Sequence, residues 1–291
     1  MTEPQLWFSV FEVGCFFGLI ALGYLLILEG AGFFNFALGP FAMVAGLSAT
    51  WLVIEKEWSL WPAVGVALAL VLALSLITEV GIVRPIVVRS GGGELPALVA
   101  VAAVLFATEQ AAGYVFGRRH LPGQPLFTFD VIEVGDAFLQ PSAAVLIVTT
   151  VIVFTAVALW MRATATGRLL RAVGDNSHAA SLLGLPVSRI RLTAFALGGI
   201  VAAVAGLLFA PKAGVGFQTG LSWTLSGFLA LVVAGTGSVW APLAGGLLVA
   251  AVQVFVPYYL GSAAPDYVIL AVALVFFAFR PEGLFARRVR A

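Results

Sequence analysis

The sequence predicts an all-α integral membrane protein, a polytopic helical bundle of eight or nine spans with broken or re-entrant segments. Three observations predict it. Of the 291 residues, 62% are hydrophobic and only 10% charged, whereas about a quarter of residues are charged in soluble domains. Mean hydropathy is +1.09. Apolar runs of span length also recur from one end of the chain to the other, and in lipid, which satisfies no backbone polar groups, such runs of about 20 residues must be helices. Residues 1–291 read as one transmembrane domain with no separate soluble unit.

Spans are expected near 8–29, 32–54, 58–83, 95–117, 141–161, 192–210, 222–236, 239–256 and 264–280. Met1-Thr2-Glu3-Pro4 is acidic and lacks the basic start of a signal peptide, so the run from Leu6 is read as a retained first span. The second run opens Gly32-Phe-Phe-Asn35-Phe-Ala-Leu-Gly39-Pro40, and the 222–256 stretch is interrupted by Gly235-Thr-Gly237-Ser238 and Pro242. Both are expected to be broken or re-entrant. Cys15, the single cysteine, has no partner for a disulfide or metal site and is read as packing.

Basic residues orient the chain. Arg84 and Arg89, then Arg162, Arg168, Arg171, Arg189 and Arg191, then Arg280, Arg287, Arg288 and Arg290 fall on one side, eleven of the 15 Lys and Arg. Lys56, Arg118, Arg119 and Lys212 fall on the other. By the positive-inside rule the richer side, with the C-terminus, is cytoplasmic. The basic tail is expected to meet anionic membrane lipid rather than nucleic acid.

The 162–191 loop is the one long polar stretch between spans, and it is read as a place where a partner docks. Asp175, Asn176 or Ser177 is positioned to cap a two-turn helix through His178-Ala179-Ala180-Ser-Leu182-Leu183, Gly184 to end it in a left-handed turn, and Pro186 to prevent its continuation. Ala179 and Ala180 would give a partner a small face to approach, and Leu182 and Leu183 would fill its groove. The alternative is an amphipathic connector resting on the bilayer.

The run Ala179-Ala180-Ser181-Leu182-Leu183-Gly184 resembles the Ala-Ala-x-x-x-Gly part of the loop by which permeases of ATP-binding cassette importers contact their ATPase, with His178 where a glutamate is expected. The fuller string Gly167-Arg168, Arg171-Ala-Val-Gly174-Asp175-Asn176, Ala179-Ala180, Gly184 and Ala194-Phe195 is similar to the branched-chain amino acid permeases. Asn35-Phe-Ala-Leu38-Gly39 resembles the Asn-Phe-Ala-His-Gly signature of one of the two paired permeases, with Leu38 replacing the histidine. Gly235-Thr-Gly237-Ser238 with Pro242 and Gly245-Gly246 resembles a Gly-Gly-x-Gly-Ser motif, and Arg280-Pro-Glu-Gly283-Leu-Phe285 a terminal Arg-Pro-x-Gly-Leu. The resemblance runs in order from about residue 18 to 286. It implies a permease subunit with an ATPase-docking loop at 162–191 that includes Arg168, Arg171, Gly174, Asp175 and His178. It further implies two ABC ATPase subunits carrying ATP and Mg²⁺, a second homologous permease and an extracytoplasmic substrate-binding protein. Relatives carry branched-chain amino acids, urea, amides and other small polar compounds.

The residues exclude ATP hydrolysis in this chain. A phosphate-binding loop needs Gly-x-x-x-x-Gly-Lys-Ser/Thr, yet the only lysines are Lys56, between two glutamates, and Lys212, after Pro211. No cofactor is expected, and His120 and His178, the only histidines, are expected on opposite sides of the membrane.

For the substrate path, an ionisable group within a span is costly and tends to face a cavity. Glu109 in the 95–117 run is the leading candidate, with Gly113 and Gly117 expected to pack a neighbouring helix. Asn35 and Gln253 sit in the two glycine-interrupted segments, where broken transporter helices expose backbone to substrate. Glu12, Glu29 and Glu79 are expected to reach water from span ends. The 118–140 loop, with Arg118, Arg119, His120, Asp130, Glu133 and Asp136, is expected to lie outside, where it would meet a binding protein or remain solvated. The rival function is a stand-alone ion-coupled transporter or channel with Glu109 as its coupling carboxylate.

Overall fold

A computed structural model describes residues 3–90, 94–134, 137–175, 177–261, 268, 271 and 283–285. The described residues form a helical membrane protein. Its helices are α1 (Glu3–Ala31), α2 (Leu38–Lys56), α3 (Leu60–Ile77), α4 (Arg84–Arg89), α5 (Glu94–Val115), α6 (Pro141–Ala163), α7 (Ala165–Asp175), α8 (Ser177–Leu182), α9 (Val187–Ala213), α10 (Thr219–Ala234) and α11 (Ala241–Leu260). A π-helical turn, Thr78–Val83, joins α3 to α4. The only strands among the described residues are β1 (Ile132–Val134) and β2 (Ala137–Leu139), an antiparallel hairpin within the 118–140 loop.

Among the described residues, seven helices are long and apolar enough to cross a membrane, and Thr219–Ala234 is a shorter apolar one. The described residues thus give seven full-length spans plus the shorter α10, and the expected ninth, 264–280, lies outside them apart from Val268 and Ala271. The tail arginines Arg280, Arg287, Arg288 and Arg290 lie outside them too.

Burial separates the centre of the bundle from its edge. The most apolar window of α1 is 89% buried, against 28% for α6, so α1 is the central helix and α6 a peripheral one that this chain leaves mostly uncovered. α1 packs on α6, α7, α9, α10 and α11, and α2 packs on α3, α9 and α10. Without a hydrophobic drive between helices in lipid, close approach at small residues supplies the attraction. A Cβ at Gly206 of α9 would overlap the Ala42 backbone of α2, and one at Gly246 of α11 would meet the backbone of α1 at Gly14 and Gly18.

Three boundaries correct the sequence reading. The third span does not stop at Val83: it widens to the π pattern and continues to Arg89. Pro85 has no N–H to give the carbonyl one turn back, and just before it the helix shifts register, with the Arg84 N–H bonded to the Glu79 carbonyl. The 162–191 loop is mostly helical, since α7 precedes the expected short helix and packs against α1, α6 and α9. Gly117 does not form a packing face with Gly113. It ends the helix region at φ +88, and a Cβ there would meet nothing within 4 Å, whereas Gly113 lies against the Phe217 ring.

The acidic groups also differ from expectation. Glu12 and Glu79 are buried at 4% and 1% exposure and do not reach water. Lys212 Nζ lies 2.8 Å from Glu12, and Arg191 Nε lies 2.7 Å from Glu79. Glu29 has Arg171 Nε at 3.9 Å. Breaking a buried ion pair leaves an uncompensated buried charge, so each pairing ties α9 or α7 to a neighbouring span.

Candidate functional site

The docking segment is built from α7 and α8. α7 presents Leu170 and Val173 to the core and exposes Arg168 and Ala172, the pattern of a helix lying on the end of the bundle. Arg168 Nη1 donates to the carbonyls of Arg162 and Ala163, each at 3.3 Å, and so closes the end of α6. Arg171 and Gly174, expected in the docking face, turn to α1 instead. Arg171 faces Glu29, and a Cβ at Gly174 would overlap the Glu29 backbone, so only glycine lets α7 sit this close.

α8 follows, and its end has the geometry the sequence suggested. Gly184 adopts φ +76, its N–H donates to the Ser181 carbonyl at 3.0 Å, and the Leu185 N–H donates to the Ala180 carbonyl at 3.0 Å. These two bonds are the Schellman closure of a helix. Leu182 and Leu183 are 75% and 80% exposed, while Ala180 is 3% exposed. The expected small face is thereby corrected: Ala180 packs into this chain's own core, and the outward face is Ala179, Leu182 and Leu183. The side chains of Asp175, Ser177 and His178, and all of Asn176, lie outside the described residues.

A second constellation lies within the spans, where the chain between α1 and α2 meets the start of α10. Asn35 is fully buried, and its Oδ1 accepts the Ala37 N–H at 3.1 Å, shaping the turn that starts α2. Its Nδ2 is buried without a hydrogen-bond partner. Thr224 Oγ1 donates to the Phe36 carbonyl at 3.0 Å, and Tyr24 Oη donates to the Thr224 carbonyl at 3.3 Å. Gly39 is pressed onto Gly220 and Thr224, leaving no space for a Cβ. Glu109, 4% exposed, reaches α10 from α5: its Oε1 accepts the Leu221 N–H at 2.7 Å. A carboxylate on a first-turn N–H both satisfies an orphan donor and complements the helix dipole. Gln253 of α11 donates through Nε2 to Ser226 Oγ at 3.2 Å. The three residues picked out for a substrate path thus all lie against α10 or the turn it packs on, with Glu109 on its first turn.

The two glycine motifs near the C-terminus meet each other. α10 ends at Gly235, φ +79, and the segment Gly283-Leu284-Phe285 lies across that end. The Leu284 and Phe285 N–H groups donate to the Val233 and Ala234 carbonyls at 3.0 and 2.8 Å, satisfying the orphan acceptors of α10. Ser238 Oγ accepts the Trp240 N–H at 3.3 Å, and Gly237 and Ser238 border a polar cavity of about 130 Å³ shared with Glu29, Arg162 and Arg171.

The family described as "Branched-chain amino acid transport system / permease component" matches residues 7–279. The chain belongs to this family of permeases. The high-affinity branched-chain amino acid transport system permease protein LivH of Salmonella typhimurium is 26% identical over 299 residues, covering 97% of this chain and 95% of that protein. BraD of Pseudomonas aeruginosa, named for the same kind of system, is 25% identical over 94% of this chain and 93% of its own length. The solved structure of PsaBC from Streptococcus pneumoniae in complex with Fab has a TM-score of 0.51 and 13% identity over 96% of this chain and 92% of that one, a likeness of fold. The chain is a permease component of an ABC transport system, a multi-pass membrane protein, and such subunits are not enzymes in themselves.

Sequence reasoning, which took 166–195 as helix-forming, did not delimit α7 within it, and it missed the Glu12–Lys212 and Glu79–Arg191 pairs and the role of Tyr24 and Thr224 in the junction. α7 was detectable: Leu169, Leu170 and Val173 share a helical face. The ion pairs had no local signal, since Glu79 and Arg191 are separated by 112 positions.

Proposed function

We propose that this chain translocates branched-chain or related small polar amino acids by alternating access as one permease of an ABC importer. It pairs with a second homologous permease and with two ATPase subunits that bind ATP and Mg²⁺, and it takes substrate from an extracytoplasmic binding protein. The end carrying α7 and α8 faces the cytoplasm, with the C-terminus. The observation that carries this reading is α8. A short helix between two spans, braced by α7 and closed by Gly184, holds Leu182 and Leu183 out of its own core. Two adjacent exposed leucines on an anchored helix suit insertion into a groove on a partner. ATP-driven closure of the ATPases would move α8, and with it the spans, and open the path to the other face.

The buried junction of Asn35, Gly39, Tyr24, Thr224 and Glu109 is proposed as the polar element near which substrate passes. It lies where two chain breaks bring backbone groups into the bundle. The engagement of Glu109 with the Leu221 N–H is the geometry of a helix cap, which favours the importer over a stand-alone ion-coupled transporter using that carboxylate. The test is leucine uptake into proteoliposomes holding this chain alone or with its partner permease, ATPases and binding protein. Accumulation only in the complete, ATP-loaded set is expected. Accumulation by this chain alone under an ion gradient overturns the reading.

A further inference from the structure

The segment that docks the proposed ATPase is wired to a specific place in the spans. Only residues 183–186 separate α8 from α9, and that link is tight: the Leu185 N–H bonds the Ala180 carbonyl and the Val187 N–H bonds the Leu185 carbonyl at 2.8 Å, with Pro186 between. A displacement of α8 is therefore delivered to the first turns of α9 with little slack. Those turns are fastened to α3 at its π-helical irregularity. Arg191 Nε donates to Glu79 Oε1 at 2.7 Å, and one helical turn on, Ser75 Oγ donates to the Phe195 carbonyl at 2.6 Å. One turn further, Gly199 lies so close to Ser75 that a Cβ there would approach its side chain to 2.7 Å.

The chemistry of this fastening is unusual for a structural contact. Glu79 and Ser75 are buried at 1% and 0% exposure, and Glu79 Oε2 is buried without a hydrogen-bond partner. Helix packing at small residues would hold α3 and α9 together without a buried charge, and replacing such pairs by apolar residues is often neutral or stabilising. Glu79 also sits in the π segment, an irregularity that in helices commonly marks a functional position.

From this geometry we infer that Glu79 and Arg191 are positioning residues of the transport cycle: they form a clamp that carries the movement of the docking helix from α9 into the π segment of α3. Seated in low dielectric, the pair resists separation and drives α3 when α9 moves. This inference rests on the proposed docking of an ATPase at α8.

The experiment uses the full importer complex with spin labels on exposed positions, Cys15 being buried. Labels at Ser188→Cys and Ala163→Cys report α9 against α6, and labels at Ile77→Cys and Ala163→Cys report α3 against α6; all three sites are exposed. Distances are measured without nucleotide and after trapping with ATP and vanadate. With the pair intact both distances are expected to shift by about 2 Å or more, the scale of helix movement in switching proteins. In Glu79→Gln the Ser188 distance still shifts and the Ile77 distance does not, while the ATPase co-purifies and hydrolyses ATP. Arg191→Lys, which keeps the charge but not the fork, is expected to give a reduced Ile77 shift. An unchanged Ile77 shift in either variant overturns the inference, as does absence of both shifts with the pair intact. Failure of both variants to assemble assigns the pair to folding and overturns it equally. Absence of the ATPase from the unsubstituted complex is a different result, and it refutes the docking reading itself.

Discussion

Gly39→Ala places one methyl group where α2 crosses α10, and the structure gives its consequence. The added Cβ would overlap the Gly220 carbonyl and both Oγ1 and the backbone N of Thr224. Two of these atoms are backbone and the third, Thr224 Oγ1, is held by its bond to the Phe36 carbonyl, so the two helices must separate. Such overpacking costs about 1–3 kcal/mol. The movement also stretches the Thr224–Phe36 bond of 3.0 Å, worth about 1 kcal/mol. Replacing a helical glycine by alanine returns about 0.5–1 kcal/mol, leaving a net loss on the order of 1–3 kcal/mol. Gly65 in α3 is the internal control: it is exposed, nothing lies within 4 Å of its Cβ position, and Gly65→Ala collects only the helical gain. At roughly 2–4 °C per kcal/mol for a chain of comparable size, thermal unfolding in detergent should show Gly39→Ala several degrees below the parent and Gly65→Ala level with it or slightly above. Equal melting temperatures for the two variants would refute the packing account of this junction.

Other outcomes are expected together. Glu109→Leu removes the acceptor of the part-buried Leu221 N–H, a hydrogen bond to a charged group worth about 1.5–3 kcal/mol; it should lower thermal stability and leucine uptake, whereas Glu109→Gln, which keeps a carbonyl oxygen there, should recover most of the stability. Wild-type uptake and melting in Glu109→Leu would remove Glu109 from both roles. At Gly184, φ +76 with open space around it means that a side chain suffers backbone strain of roughly 1–2 kcal/mol and no clash. Gly184→Leu should therefore weaken ATPase capture several-fold in a pull-down and Gly184→Asn much less, and equal losses would show that the left-handed turn is not what matters. The purified chain freed of partner subunits should release no phosphate from ATP, checked by a phosphate-release assay; retained hydrolysis would contradict the assignment of ATP to separate subunits.

The fold was legible where one-dimensional hydropathy carries the information. Seven span-length helices stand close to expected runs, and the break before α2 was signalled by Gly32 and Asn35, which the structure places in a left-handed turn and a side-chain-to-backbone turn. α7 escaped because its apolar face is only three residues wide and averages away in a window tuned to spans. Within the docking segment, the helix end at Gly184 was readable because a C-terminal glycine is a local signal. The facing of Ala180, Arg171 and Gly174 was not, because it depends on where α1 and α9 lie. The same holds for Glu12 and Glu79. A glutamate near a span end looks the same whether it reaches water or meets an arginine 112 positions away, and only the packing of α9 decides.

In the proposed importer, α8 receives an ATPase through its exposed leucines. Leu182→Asp combined with Leu183→Asp tests it most directly, because both side chains lie outside the core at 75% and 80% exposure and the change should leave the fold intact. The measurement is co-purification of the ATPase with the affinity-tagged permease pair, normalised to permease abundance in the membrane. Normal abundance is expected, with ATPase recovery reduced at least tenfold, the effect of about 1.4 kcal/mol or more. ATPase recovery equal to that of the unsubstituted chain would contradict it.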